Sequence, residues 1–125
     1  MSANFTPTQE YSAEHWPATP GTPRFFAEHM QELAQMEMHG DSMAPTIKHG
    51  DILYVDPKIN EYAGDNVYVI DRGHELEARR IQQSIAQPGQ LLLICDNKAY
   101  EVETTDSDSL RIRGLVVGII TARSV

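Results

Sequence analysis

Apolar positions in this chain recur in short runs separated by glycine, proline, asparagine and aspartate. Residues 51–56, 66–71, 76–82, 90–95, 110–113 and the run from Leu115 to Thr121 are β-prone, and 34–39 alternates weakly between apolar and polar. Turn residues punctuate them: Asp56-Pro57, Ala63-Gly64-Asp65-Asn66, Arg72-Gly73-His74, Gln87-Pro88-Gly89 and Asp96-Asn97. About seven short strands with frequent turns predict a mainly β domain, either a bent sandwich or a coiled, partly closed barrel. The expected core is Met36, Met38, Ile52, Leu53, Val55, Val67, Val69, Leu92, Ile94, Ile112, Val116 and Ile119.

The first 23 residues differ. Ser2 to Pro23 holds four prolines and scattered aromatics (Phe5, Tyr11, Trp16), without a sustained period of 2 or 3.6. This stretch is read as a flexible arm or linker, 1–23, preceding a domain over 24–125. Thr22-Pro23 resembles an N-cap followed by proline at the first helical position. Phe25, Phe26 and Met30 then predict one short amphipathic helix over 24–31.

Composition narrows the function classes. The 125 residues suit one domain with its own core, with 41% hydrophobic and 22% charged positions. Eighteen acidic against ten basic residues give net −8. Such a surface repels phosphate and argues against direct DNA binding by this chain. The longest apolar run, Leu115 to Ile120, falls far short of the roughly 20 residues of a membrane span. A lone Cys95 offers no internal disulfide, which points to a reducing, cytoplasmic setting.

Two segments carry candidate chemistry. His39-Gly40-Asp41 and His49-Gly50-Asp51 repeat a small pattern, and two imidazoles with two carboxylates could ligate a metal. The plainer reading is two Gly-Asp turns at strand boundaries. No third cluster completes a site, so neither metal nor other cofactor is expected. The second segment is Gly40-Asp41-Ser42-Met43-Ala44-Pro45-Thr46-Ile47, where a serine inside a Gly-Asp turn can be exposed and aimed.

That segment and its continuation Lys48-His49-Gly50-Asp51-Ile52-Leu53-Tyr54-Val55-Asp56 resemble the LexA-like peptidase family. The family includes the C-terminal domains of LexA and lambda-type phage repressors, the polymerase accessory protein UmuD and, more distantly, bacterial signal peptidases. Gly64-Asp65-Asn66-Val67-Tyr68-Val69, Ala78-Arg79-Arg80-Ile81, Cys95 to Tyr100 and Arg113 to Gly118 continue the resemblance in the family's order. It implies the family's bent β fold. It also implies that Ser42 occupies the nucleophile position and that position 79 is where the family carries a lysine general base.

Here the sequence departs from its relatives. Position 79 is arginine, which stays protonated and cannot serve as a base at neutral pH. The three lysines, Lys48, Lys58 and Lys98, lie in turns or loops and are no replacement. Either catalysis was lost naturally or the lysine was deliberately exchanged, and Arg79→Lys restores a dyad only if burial lowers the new lysine's pKa. Self-cleaving relatives cut an Ala-Gly or Cys-Gly bond upstream of the serine. Here Gly21 follows Pro20, and Ala63-Gly64 lies within the matched core.

The resemblance therefore implies a self-association domain of a repressor, homodimeric through Leu115 to Thr121, with self-cleavage disabled. Two alternatives remain open: a Ser/Lys peptidase whose lysine was mutated, and a stand-alone UmuD-like or antirepressor module. A RecA-type activator of an SOS response, or a repressor, would be its further partner. Residues 1–32 offer one short helix and no recognition helix, so a helix-turn-helix unit is expected upstream if the protein is a repressor.

Overall fold

The computed structural model describes residues 29–121. The arm over 1–23 lies outside them, as does most of the helix expected over 24–31. The described part opens with a 3₁₀ turn at Met30–Glu32. Seven strands follow: β1 (Ala34–Glu37), β2 (Ile52–Asp56), β3 (Asn66–Asp71), β4 (Leu76–Gln83), β5 (Gln90–Ile94), β6 (Glu103–Asp106) and β7 (Ile112–Ile120). They form one antiparallel sheet in the order β1-β2-β7-β3-β4-β5-β6. The domain is mainly β, as the turn-punctuated runs predict.

The sheet buries both of its faces. Val69 of β3 packs with Met38, Met43, Ile47, Leu53, Val55 and Ala78. Its neighbours Tyr68 and Ile70 point the other way, into Ile81, Leu91, Leu93 and Ile112. Alternate side chains of one strand thus feed two cores. Register shifts at Tyr54/Val55 and at Val69/Ile70 place an extra β7 residue on each side of the strand. Such bulges sharpen local twist and bend the strand that carries them.

Two expected strands, 110–113 and 115–121, are one. Gly114 interrupts their pattern but does not turn the chain. A β-carbon there would meet Val55 Cγ1 at 2.3 Å and the Asp56 carbonyl oxygen at 2.9 Å. Glycine is the residue that lets β7 cross β2 this closely. The seventh strand is instead β6, Glu103-Thr104-Thr105-Asp106. It is mostly exposed and held by its backbone ladder to β5, so it carries no apolar pattern to detect.

The core prediction succeeds for Met38, Leu53, Val55, Val69 and Ile112, all buried. Met36, Val67 and Val116 pack against the first core while half-buried. It fails on β5, where Leu91 and Leu93 are buried and Leu92 and Ile94 are not. The run Leu91-Leu92-Leu93-Ile94 has no alternation of its own. Its facing follows from pairing Leu93 with Ile81 and Leu91 with Gln83. Ile52 is half-buried and Ile119 is 37% exposed.

Candidate active site at Ser42

The loop between β1 and β2 holds Ser42, and its apolar side chains hold the loop. Met43 and Ile47 are fully buried in the first core. Each such burial is worth about 1.5–3 kcal/mol relative to exposure. The loop closes on itself through Met38 N–H to the Asp51 carbonyl at 2.8 Å and Gly50 N–H to the Met38 carbonyl at 2.8 Å. Gly40 and Gly50 both adopt positive φ, +88° and +90°. That conformation explains why the His-Gly-Asp pattern occurs twice: both glycines are turn residues.

The four candidate metal ligands have separate tasks. Asp51, buried, accepts from Lys48 N–H at 2.8 Å and from the Thr121 hydroxyl at 2.9 Å. Asp41 accepts from the Tyr100 hydroxyl at 2.5 Å. His49 Nδ1 accepts from Gly40 N–H at 2.9 Å, and its ring stands edge-on to His39 with centroids 5.8 Å apart. No cluster of three or more metal-ligating side chains occurs among the described residues.

A second loop, after β5, grips the serine turn from outside. Asn97 N–H donates to the Ser42 carbonyl at 3.0 Å, and Asn97 Nδ2 donates to the Asp41 carbonyl at 3.0 Å. Beside it, Arg80 makes two parallel bonds of 2.8 Å to Asp96, a planar fork matched to a carboxylate. Arg80 holds the Asp96 carboxyl below its ordinary pKa, and a bond from the Thr46 hydroxyl adds to the effect. The serine turn is thereby tied to β4 and β5 from both sides.

Ser42 is buried, and β4 supplies its chemical neighbour. Arg79 Nη1 donates to Ser42 Oγ at 3.2 Å and to the Ala78 carbonyl at 2.7 Å. Its other terminal nitrogen, Nη2, lies 2.9 Å from Glu77 Oε1. The same carboxylate oxygen receives Arg72 Nε at 3.2 Å, and Arg72 Nη2 reaches Glu103 at 2.6 Å. An ionic chain thus runs from the serine to the far edge of the sheet. The site opens into a groove of 540 Å³ with apolar walls from Met36, Met38 and Leu76 and an acidic rim from Glu37 and Glu75.

Residues 5–117 match the Peptidase S24-like family. The chain belongs to that family. It is also 32% identical, over 90 residues, to the 26 kDa repressor protein of Escherichia phage HK022. The matched stretch covers 70% of this chain and 37% of the relative, so the chain spans little more than a third of that protein. The S24 match begins inside the segment read as an arm.

Within this S24 domain, the two site residues singled out from sequence, Ser42 and Arg79, are 37 positions apart and in hydrogen-bond contact. Sequence reasoning gave no role to Glu77, Arg72, Asn97 or Tyr100. Glu77 did leave a trace: two positions before Arg79 on a strand, it shares that residue's side of the sheet. Its link to Arg72 arises only when the β3–β4 hairpin closes, with Arg72 N–H on the Glu75 carbonyl at 2.9 Å.

Proposed function

We propose that this S24 chain is a repressor-type C-terminal domain that pairs with a copy of itself and does not cut itself. In this reading Ser42 stands at the nucleophile position and Arg79 at the general-base position. The observation that carries it is the 3.2 Å bond from Arg79 to Ser42 Oγ. A guanidinium stays protonated and offers no acceptor, so it cannot take the serine proton. It donates to the hydroxyl oxygen where a base would have to accept from it. General-base assistance is worth about 10²–10⁴-fold, and its loss leaves negligible turnover.

Self-association draws its support from β7. The strand is interior, between β2 and β3, and the edges of the sheet are β1 and β6, so the expected exposed edge at 115–121 is not an edge strand. Its register with β3 ends at Leu115, whereas its register with β2 continues to Ile120. Over 116–120 no ladder to β3 is formed: Val116 to Ile119 line a small groove with Thr46, Asn66, Val67 and Arg80, and Ile119 and Ile120 are exposed. An unpaired strand side with apolar neighbours invites a second strand. The relative's name, a phage repressor, fits a domain that couples two DNA-binding units and raises affinity through effective concentration.

The open groove beside Ser42 favours a second reading, a peptidase site whose lysine has been exchanged. One experiment tests the inactivity that both readings assign to Arg79. The purified chain is incubated for days at pH 10, alone and with a linker peptide containing an Ala-Gly bond, and intact masses are measured. Uncut chain and peptide are expected. Fragments that disappear in Ser42→Ala would reveal another base and overturn the reading of Arg79.

A further inference from the structure

Arg79 does not stand alone at the serine. Its Nη2 is 2.9 Å from Glu77 Oε1, and that carboxylate is itself fixed by Arg72, whose far end is held by Glu103. Glu77 therefore has a hold, through Arg72, that does not depend on position 79. We propose that Glu77 is a second lock on this site: a lysine placed at position 79 would be kept as an ammonium ion by the Glu77 carboxylate and would not become a base. The inference rests on the reading of position 79 as the general-base position and adds a positioning residue to it.

The surrounding charges point the same way. Asp41 faces the site from the serine turn with Tyr100 bonded to it, and Glu37 and Glu75 flank the groove from β1 and the β3–β4 turn. His39 lines the same groove. Arg72 is the nearest other cation on this chain of contacts, and two carboxylates, Glu77 and Glu103, already answer it. A carboxylate within about 4–6 Å favours the charged form of an amine, whereas a Ser/Lys dyad needs the neutral form. Burial alone would lower the pKa of a lysine; Glu77 opposes it. Two residues, then, separate this site from a working dyad.

The test compares Arg79→Lys with Arg79→Lys/Glu77→Gln in the full chain. Because the chain has only Lys48, Lys58 and Lys98 besides, the new lysine gives a fourth, assignable side-chain signal by NMR. Its titration midpoint is expected at or above the ordinary value near 10.4 in the single variant. In the double variant it is expected at least about one pH unit lower, a tenfold gain in neutral amine at a given pH. Cleavage of the Ala-Gly peptide at pH 8 should rise by about the same factor. Arg79→Lys/Glu77→Thr, with a β-branched side chain suited to a strand, is the second variant should Glu77→Gln fail to fold. Equal midpoints in the single and double variants would overturn the inference, even if both cleaved the peptide and thereby upheld the dyad reading. A lowered midpoint upholds the lock whether or not the peptide is cut, so the midpoint and the cleavage test the lock and the dyad reading separately.

Discussion

At the scale of single residues, the structure turns on contacts whose sign can be worked out. Gly114 is the sharpest. A methyl group there would overlap Val55 and the backbone of Asp56, and overpacking of this kind costs about 1–3 kcal/mol or more. Gly114→Ala should lower the urea midpoint accordingly, whereas Ile85→Ala, at a fully exposed site, should change stability by less than about 0.5 kcal/mol. Asp96 supplies a pH dependence. Its carboxyl is held below the ordinary range by Arg80, so its contribution is present in full above the unfolded value near 4. That contribution is lost as pH falls through the lower folded value. Urea midpoints measured from pH 7 to pH 2 should fall less steeply for Asp96→Asn, which should also start lower at pH 7.

At the scale of elements, most strands were legible because each is a short β-prone run ended by Gly, Pro, Asn or Asp. The hairpin turn Arg72-Gly73-His74 and the strand Asn66–Asp71 match their expected positions. Elements without a local pattern were not legible. Strand β6 is polar and mostly exposed, β5 is an unbroken apolar run from Leu91 to Ile94, and Gly114 resembles a turn although it marks a close strand crossing. The site divides in the same way. The serine turn and position 79 can be read from linear motifs, but Glu77, which touches Arg79 directly, is held by Arg72 only once the β3–β4 hairpin closes, and Arg72 meets Glu103 only once β6 joins the sheet. The serine loop is held by Met43 and Ile47. Met43→Ala should cost about 2–5 kcal/mol through the cavity it leaves. Amide exchange should quicken across 39–50 more than across β3 and β4, since local opening follows local burial.

At the scale of the whole molecule, one sheet carries the core and the proposed self-association strand. Its middle strands bury side chains on both faces, and β7 runs on past its last paired position with β3, Leu115, to Ile120 on β2. Ile119 and Ile120 remain 37% and 39% exposed there, and a charge on such a stretch opposes strand pairing. Ile119→Lys should therefore abolish self-association while leaving the circular dichroism spectrum unchanged. The direct measurement is sedimentation equilibrium of the 14.0 kDa chain up to ~100 µM, which corresponds to about −5.5 kcal/mol of association free energy. A mass twice that of the chain, returning to a single chain's mass in Ile119→Lys, is the result expected of a self-association domain. A single chain's mass throughout that range would contradict it.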